Sequence, residues 1–367
     1  MSCDFMALAA DGIQTLKPYE PGKPIDELKR ELGVSDVIKL ASNESPLGLS
    51  ARVQEVIQRA LPDIARYPDG NGFRLKQALA ERHGLEQNQI TLGCGSNELF
   101  ELLAKTFLSP GDEAVMSQHA FAVYPLVVQA AGAESVVVPS RDWGHDLDAM
   151  ADAITERTRL VFIANPNNPT GTWLSKGELK AFMKVVPDNV LVVLDEAYAE
   201  YVDQENYPNG FKLQRRYPNL IVTRTFSKAY GLAGLRVGYG VANAAITDLL
   251  NRVRQPFNLN SLALVAAEAA LTDVARIKES IAVNVAGYEQ LTAAFGRLGL
   301  TTIPSVTNFV TVHLGPRAGA VHQSLLRSGI IVRPLASYGM PEHLRISIGL
   351  EAENQRFLTA LEAEVAS

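Results

Sequence analysis

Cysteine is nearly absent from this 367-residue chain, with Cys3 and Cys94 the only two. Two thiols cannot build a disulfide framework or a cysteine metal site, so a reducing, cytoplasmic setting is the simplest expectation. Histidine is sparse as well, six residues scattered without metal-ligand spacing, and no metal is expected. No apolar run approaches the roughly 20 residues needed to cross a bilayer. The opening "MSCDFMALAADG" lacks the basic start and long apolar stretch of a secretion signal. Charge of one sign is also missing in excess. Lys+Arg number 34 against 40 Asp+Glu, a net −6, which argues against nucleic acid or an anionic membrane as the main partner. Three chemical signatures are absent: the Gly-x-Ser-x-Gly nucleophile elbow, the Walker A loop, and a Gly-x-Gly-x-x-Gly turn after an early strand. Neither an internal repeat nor a low-complexity tract is visible.

What is present is 47% hydrophobic sequence, long enough for one large core and a second, smaller one. Short β-rich runs alternate with helical patterns: "ITLGCG", "EAVMS", "ESVVVP", "LVFIAN", "VLVVLDEAY" and "LIVTRTFS". Several are apolar on both faces, as expected when helices cover both sides of a mostly parallel sheet. In 96–107, Leu99, Leu102, Leu103 and Phe107 recur at helical spacing. The fold class expected is α/β, with residues 51–255 as the large domain. From 256 the texture changes to a long alanine-rich helical stretch, then the strand candidates "NFVTVHL", "IIVRP" and "LRISIGL". Residues 256–367 are expected to form a smaller α+β domain, joined by residues 1–50 as an arm plus part of that domain.

Four segments carry chemistry. "LGCGSNELF" (92–100) is a glycine-rich turn entering a helix, a natural phosphate seat because free N–H groups and the positive helix end meet there. A plain turn with Ser96 or Asn97 at the helix start would look the same. "NPNNPTG" (165–171) fixes two adjacent amides between prolines after a strand, either as a hydrogen-bonding platform or as an ordinary turn. "VLVVLDEAYAEY" (190–201) ends an apolar run in Asp195, which needs a cation or several donors if buried, or is a helix cap. Tyr198 follows. In "TRTFSKAYGLAGLRVGY" (223–239), Lys228 stands among small and apolar residues beside Ser227, with Arg236 downstream. A solvated loop would also hold a lysine. Taken together, a buried acid, a phenol, an amide, a lysine and a divided anion site suit pyridoxal 5′-phosphate. The lysine condenses with its aldehyde, the acid keeps its ring nitrogen protonated, and the anion donors grip its phosphate.

The ordered set Asn168-Pro-Thr-Gly, Asp195-x-x-Tyr198, Ser227-Lys228 and Arg236 resembles the fold-type I pyridoxal-phosphate aminotransferases of the aspartate aminotransferase superfamily. Within them the chain is similar to the histidinol-phosphate aminotransferases over nearly its whole length, through "LKPYEPGKP" (16–24), "LASNESPLG" (40–48), "RYPDGNGFRLKQALA" (66–80), "IIVRPL" (330–335) and "LRISIG" (344–349). The resemblance implies a large, mostly parallel seven-stranded sheet domain plus a smaller α+β domain. It implies that Lys228 is the cofactor-linking lysine and proton carrier, and that Asp195 pairs with the ring nitrogen. Asn168 and Tyr198 would bond the ring's 3-oxygen, and Phe121 would stack on the ring where the family usually has tyrosine. Gly95, Ser96, Asn97, Thr225, Ser227 and Arg236 would hold the phosphate, with Tyr67 reaching it from the partner of a homodimer. Arg345 with Asn43 resembles the pair that binds a substrate carboxylate, and Arg333 and Tyr19 the further substrate contacts. The activity implied is amino-group exchange between histidinol phosphate and 2-oxoglutarate in histidine biosynthesis. An aromatic amino-acid aminotransferase and a threonine-phosphate decarboxylase are the alternatives.

Overall fold

The computed structural model describes residues 3–365. Its strands are β1 (Ile38–Leu40), β2 (Ile90–Gly93), β3 (Glu113–Ser117), β4 (Glu134–Val138), β5 (Thr158–Ala164), β6 (Leu191–Asp195), β7 (Leu220–Thr225), β8 (Gly238–Val241), β9 (Thr302–Ile303), β10 (Phe309–His313), β11 (Ile330–Pro334) and β12 (His343–Ser347). Seven form one sheet in the order β2-β8-β7-β6-β5-β3-β4. Only β8 runs against its neighbours. The six runs read as strands are all there, and the seventh is the glycine-containing "GYGV" of β8.

Aliphatic residues on β3, β5, β6 and β7 are buried on both faces because helices pack on each side. Two clusters result. One gathers Val161, Ile163, Leu194 and Val222 with Leu75, Leu79 and Phe182. The other gathers Phe162, Val193 and Ile221 with Phe100, Leu103 and Tyr124. The parallel strands discharge their chains at one edge, where Ser117, Ala164, Asp195 and Thr225 are last residues. That carboxyl edge is where such sheets bind ligands.

A second sheet has the order β1-β11-β12-β10-β9. Its core sets Val310, Val332 and Ile346 against Leu291, Phe295, Phe357 and Leu361 of the helices Val274–Arg297 and Glu351–Val365. Strand β1 comes from the N-terminal 50 residues and pairs in parallel with β11.

Two local expectations are corrected, and the packing bears on a third. The alanine-rich stretch is two helices, Ser261–Thr272 and Val274–Arg297, because the Asp273 side chain caps the second by accepting from Arg276 N. The first buries Ala263, Ala266, Ala267 and Leu271 in the large-sheet core, so the boundary expected at 256 lies before an element that packs with the large sheet. The helix after β2 begins at Gly95 with Cys94 as its cap residue, not at Ser96 or Asn97. Gly95 takes φ +76, and Glu98 accepts the Cys94 N–H, tying the cap residue to the first turn.

Candidate active site

A cavity of about 340 Å³ opens between the carboxyl edge of the large sheet and the small sheet. Asp195 forms part of its wall. The apolar β6 delivers this carboxylate to the edge, where it is buried. Tyr124 Oη donates to Oδ2 at 2.7 Å, and Thr223 Oγ1 and Ala197 N donate to Oδ1 at 3.2 Å each. Burial still lifts the carboxyl to about 6, against the pull of those three donors and of the nearby Lys228 charge. A carboxylate offers about four lone-pair sites. Three are used by the protein, which leaves acceptor capacity for one ligand N–H.

Lys228 follows β7 and is half-buried, its Nζ donating to Ser42 O at 2.9 Å. Burial, reinforced by Arg345, lowers the amine to about 7. A large share is therefore unprotonated at neutral pH, the state a nucleophilic or proton-accepting amine needs. Its Nζ also lies 5.8 Å from the Tyr198 ring centroid. Tyr198 is buried, and its hydroxyl accepts from Asn43 Nδ2 at 2.9 Å. Burial holds that phenol above its ordinary range, opposed by Arg345 and by the Asn43 bond.

An anion cradle occupies another wall. The first turn of the helix Gly95–Phe107 presents backbone N–H groups that have no partner within the helix, and Ser96 and Asn97 line the cavity. Facing them, Thr225 Oγ1 donates to Ser227 Oγ at 3.0 Å, and Arg236 Nη1 donates to Ser227 Oγ at 3.4 Å. Gly95 is not itself on the wall. A Cβ there would collide with the Arg236 guanidinium, so glycine is what lets the cation close on the turn.

The small sheet contributes two buried arginines. Arg333 on β11 and Arg345 on β12 are direct cross-strand partners. Like charges placed opposite each other are destabilising, so this pair suits an anionic guest. Arg345 donates to Asn168 Oδ1 and, at 2.9 Å, to Ala41 O. Its buried Nε has no hydrogen-bond partner among the described residues. Arg333 donates to Glu20 O at 2.8 Å and lies 5.9 Å from the Tyr19 ring centroid. Asn43, at φ +55, is fixed by Ser347, whose Oγ accepts the Asn43 N–H at 2.8 Å.

The cavity thus brings together Tyr19, Asn43, Ser96, Asn97, Phe121, Asn168, Asp195, Tyr198, Thr225, Ser227, Lys228, Arg236, Arg333 and Arg345. Tyr67 lies elsewhere, 83% exposed and stacked on Phe257 at 4.8 Å. The paired amides of 165–171 do not act as one platform. Asn168 faces the cavity, while Asn167 is buried and donates to His119 O and Thr170 Oγ1. Sequence reasoning missed Tyr124 and Tyr338. The one available signal for Tyr124 was its helical spacing, three residues after Phe121. No group of three or more His, Cys, Asp or Glu among the described residues could hold a metal, and no helix of the described residues is long and apolar enough to cross a membrane.

The donor set fits pyridoxal 5′-phosphate: one free acceptor site on a buried acid, a half-neutral amine, and a cation closed onto a helix start. Comparisons with known proteins agree. The family described as aminotransferase class I and II matches residues 35–361. A Pseudomonas fluorescens protein named histidinol-phosphate aminotransferase 2 is 60% identical over 98% of both chains. A Pseudomonas aeruginosa protein of the same name is 57% identical, again over 98% of each. The crystal structure of histidinol-phosphate aminotransferase from Sinorhizobium meliloti, in complex with pyridoxal 5′-phosphate, superposes with a TM-score of 0.91 at 31% identity, covering 98% of this chain and 97% of that one. The chain belongs to the class I and II aminotransferases, within the histidinol-phosphate aminotransferase family.

Proposed function

We propose that this protein is a pyridoxal-phosphate-dependent aminotransferase that exchanges the amino group of histidinol phosphate for the oxo group of 2-oxoglutarate, giving imidazole acetol phosphate and glutamate, with the reaction placed in histidine biosynthesis. The observation that carries the reading is the single cavity holding Asp195, Lys228, the anion cradle and the opposed arginines. When bound, pyridoxal 5′-phosphate supplies an aldehyde that carries the amino group and a ring that draws electrons from the substrate's α-carbon.

The chain's residues do the rest. Asp195, with one lone pair to spare, would accept the cofactor's ring N–H and so keep that nitrogen protonated. Phe121 would stack on the ring, and Tyr198 and Asn168 would bond its 3-oxygen. Ser96, Asn97, Thr225, Ser227 and Arg236 would hold the phosphate, with Gly95 behind them leaving room for the Arg236 guanidinium. Lys228 would take up and return the proton of the substrate α-carbon. Its lowered basicity lets it do both near neutral pH. Arg345, with Asn43, and Arg333, with Tyr19, bind the substrates' anionic ends. Guanidinium forks match carboxylate and phosphate alike, so one pair serves glutamate and histidinol phosphate.

The active unit in this reading is a cytoplasmic homodimer in which Tyr67 reaches the partner's phosphate site. The exposed Tyr67–Phe257 stack supports it, since an apolar pair this open is suited to cover by a second copy. Residues 1–50 act as an arm and part of the small domain, and we take the rest of the small domain to start at Asp273, where the helix breaks. A substrate panel on cofactor-loaded protein tests the reading. Glutamate should form from 2-oxoglutarate faster with histidinol phosphate than with phenylalanine, and threonine phosphate should not be decarboxylated. Phenylalanine as the better amino donor would move the protein to the aromatic branch, and CO₂ release from threonine phosphate to the decarboxylases.

A further inference from the structure

His119 lies between β3 and the helix Val123–Ala130, two residues before Phe121. It is buried, and it does not line the cavity. Its Nδ1 is 2.8 Å from Tyr338 O. A carbonyl only accepts, so Nδ1 carries the proton and donates. That carbonyl belongs to the short turn Ala336–Tyr338 after β11, and Tyr338 lines the cavity beside Arg333. The His119 carbonyl in turn accepts from Asn167 Nδ2 at 2.9 Å, next to Asn168. Ala122, on the same stretch, packs on Leu335, Tyr338 and Met340. The His119 ring lies tilted against Trp143, centroids 5.6 Å apart, and Trp143 meets His343 of β12 at 4.9 Å. In the alternation of β12, His343 shares a face with Arg345. Residue 119 therefore joins three elements: its imidazole ties the Phe121 stretch to the small-sheet wall, and its backbone carbonyl holds the Asn167–Asn168 loop.

We propose that His119 is a positioning residue whose Nδ1–H bond to Tyr338 sets the separation between the wall carrying Phe121 and Asn168 and the wall carrying Tyr338 and Arg333, and thereby sets substrate affinity. The inference rests on the cavity being the substrate site. The bond spans the two sheets without touching the groups assigned to chemistry, so its loss should weaken ground-state and transition-state binding together. That pattern raises KM and spares kcat.

Three variants separate the hydrogen bond from bulk and stacking. His119→Ala removes both, His119→Phe keeps a ring without the donor, and His119→Asn places an amide N–H near Nδ1. KM for histidinol phosphate should rise about three- to tenfold in the Ala and Phe variants, the loss of one neutral hydrogen bond, with kcat within about twofold. His119→Asn should recover most of the affinity. A second readout needs no steady-state turnover. The chain has two tryptophans, so a Trp173→Phe background leaves Trp143 as the sole reporter, in ring contact with His119. Titrating cofactor-loaded protein with 2-oxoglutarate, and separately with histidinol phosphate, should change its emission, with half-saturation shifted by the same factor in His119→Ala. The proposal is overturned by unchanged KM in the folded Ala and Phe variants, by failure of a folded Asn variant to restore it, or by Trp143 emission indifferent to both ligands. The functional reading is judged separately, by the unsubstituted protein's turnover of histidinol phosphate. His119 is judged by the ratio of variant to parent with whichever ligand titrates Trp143.

Discussion

Tyr124→Phe deletes one oxygen and leaves the ring in place against Phe162, where it stacks at 4.7 Å. The oxygen lost is the donor 2.7 Å from Asp195 Oδ2. A hydrogen bond to a charged group is worth about 1.5–3 kcal/mol, and one pKa unit corresponds to about 1.4 kcal/mol. A donor to the carboxylate favours its charged form, so deletion must raise the pKa, here by about one to two units. From about 6, Asp195 moves to neutrality or above. At pH 7 its ionised fraction then falls by about two- to tenfold. Protein labelled at the aspartate carboxyl carbon, freed of cofactor, allows the midpoint to be read from the carbon-13 shift across a pH series, with Asp195→Asn assigning the signal. In the loaded enzyme the acid limb of kcat should move up in the same direction. A midpoint that stays put or falls in Tyr124→Phe would refute the reasoning, because Thr223 and Ala197 would then suffice to hold the charge.

The other predictions address the cradle, the core beneath it and stability against pH. Gly95→Ala puts a Cβ at φ +76 against the Arg236 guanidinium; cofactor affinity, from absorbance titration, should fall by about tenfold or more, and an unchanged affinity would remove Arg236 from the cradle. Glu196→Gln strips a fully buried carboxylate from Arg224, 2.6 Å away, and leaves that cation with Glu200 alone; urea unfolding should show a loss of about 3 kcal/mol, and no loss would mean Glu200 compensates. The raised Asp195 pKa means the folded protein binds a proton more tightly than the unfolded chain between about pH 4 and 6, so this group's contribution falls as pH rises through that window. Asp195→Asn lacks that slope and should therefore be more stable than the parent without cofactor by up to about 3 kcal/mol at pH 7.5, with the gap closing below pH 4 in thermal unfolding.

Much of this was legible because parallel strands advertise themselves. β5, β6 and β7 are buried on both faces, so their aliphatic runs stand out, and the residues that end them carry the chemistry. β8 did not stand out. Its Gly238 and Gly240 have low strand propensity, and it exists because β2 and β7 flank it on both sides. Gly238 also lies where a Cβ would approach Ser96 N within 2.7 Å, so the same glycine that hides the strand makes room for the cradle. Asp195 was readable as a buried acid in need of donors. The donor itself, Tyr124, comes from a helix 71 residues away in sequence, and its three-residue spacing from Phe121 looked like helix packing. His119 was unreadable for the same reason. What distinguishes it is a backbone carbonyl 219 residues downstream, and no side-chain pattern announces a carbonyl.

The three-residue strand β1 has a bearing on how the protein is made. It pairs with β11, and the residues just after it supply Ala41 O to Arg345, Ser42 O to Lys228 and the Asn43 backbone to Asn308 and Ser347. A chain leaving the ribosome must carry β1 unpaired until β11, 292 residues further on (330 − 38), has been translated. The large sheet can close first, with its lysine and acid in place, yet the pocket has no far wall until β1 meets β11 and β12. Nascent chains stalled short of β12 should be stably folded and unable to hold substrate.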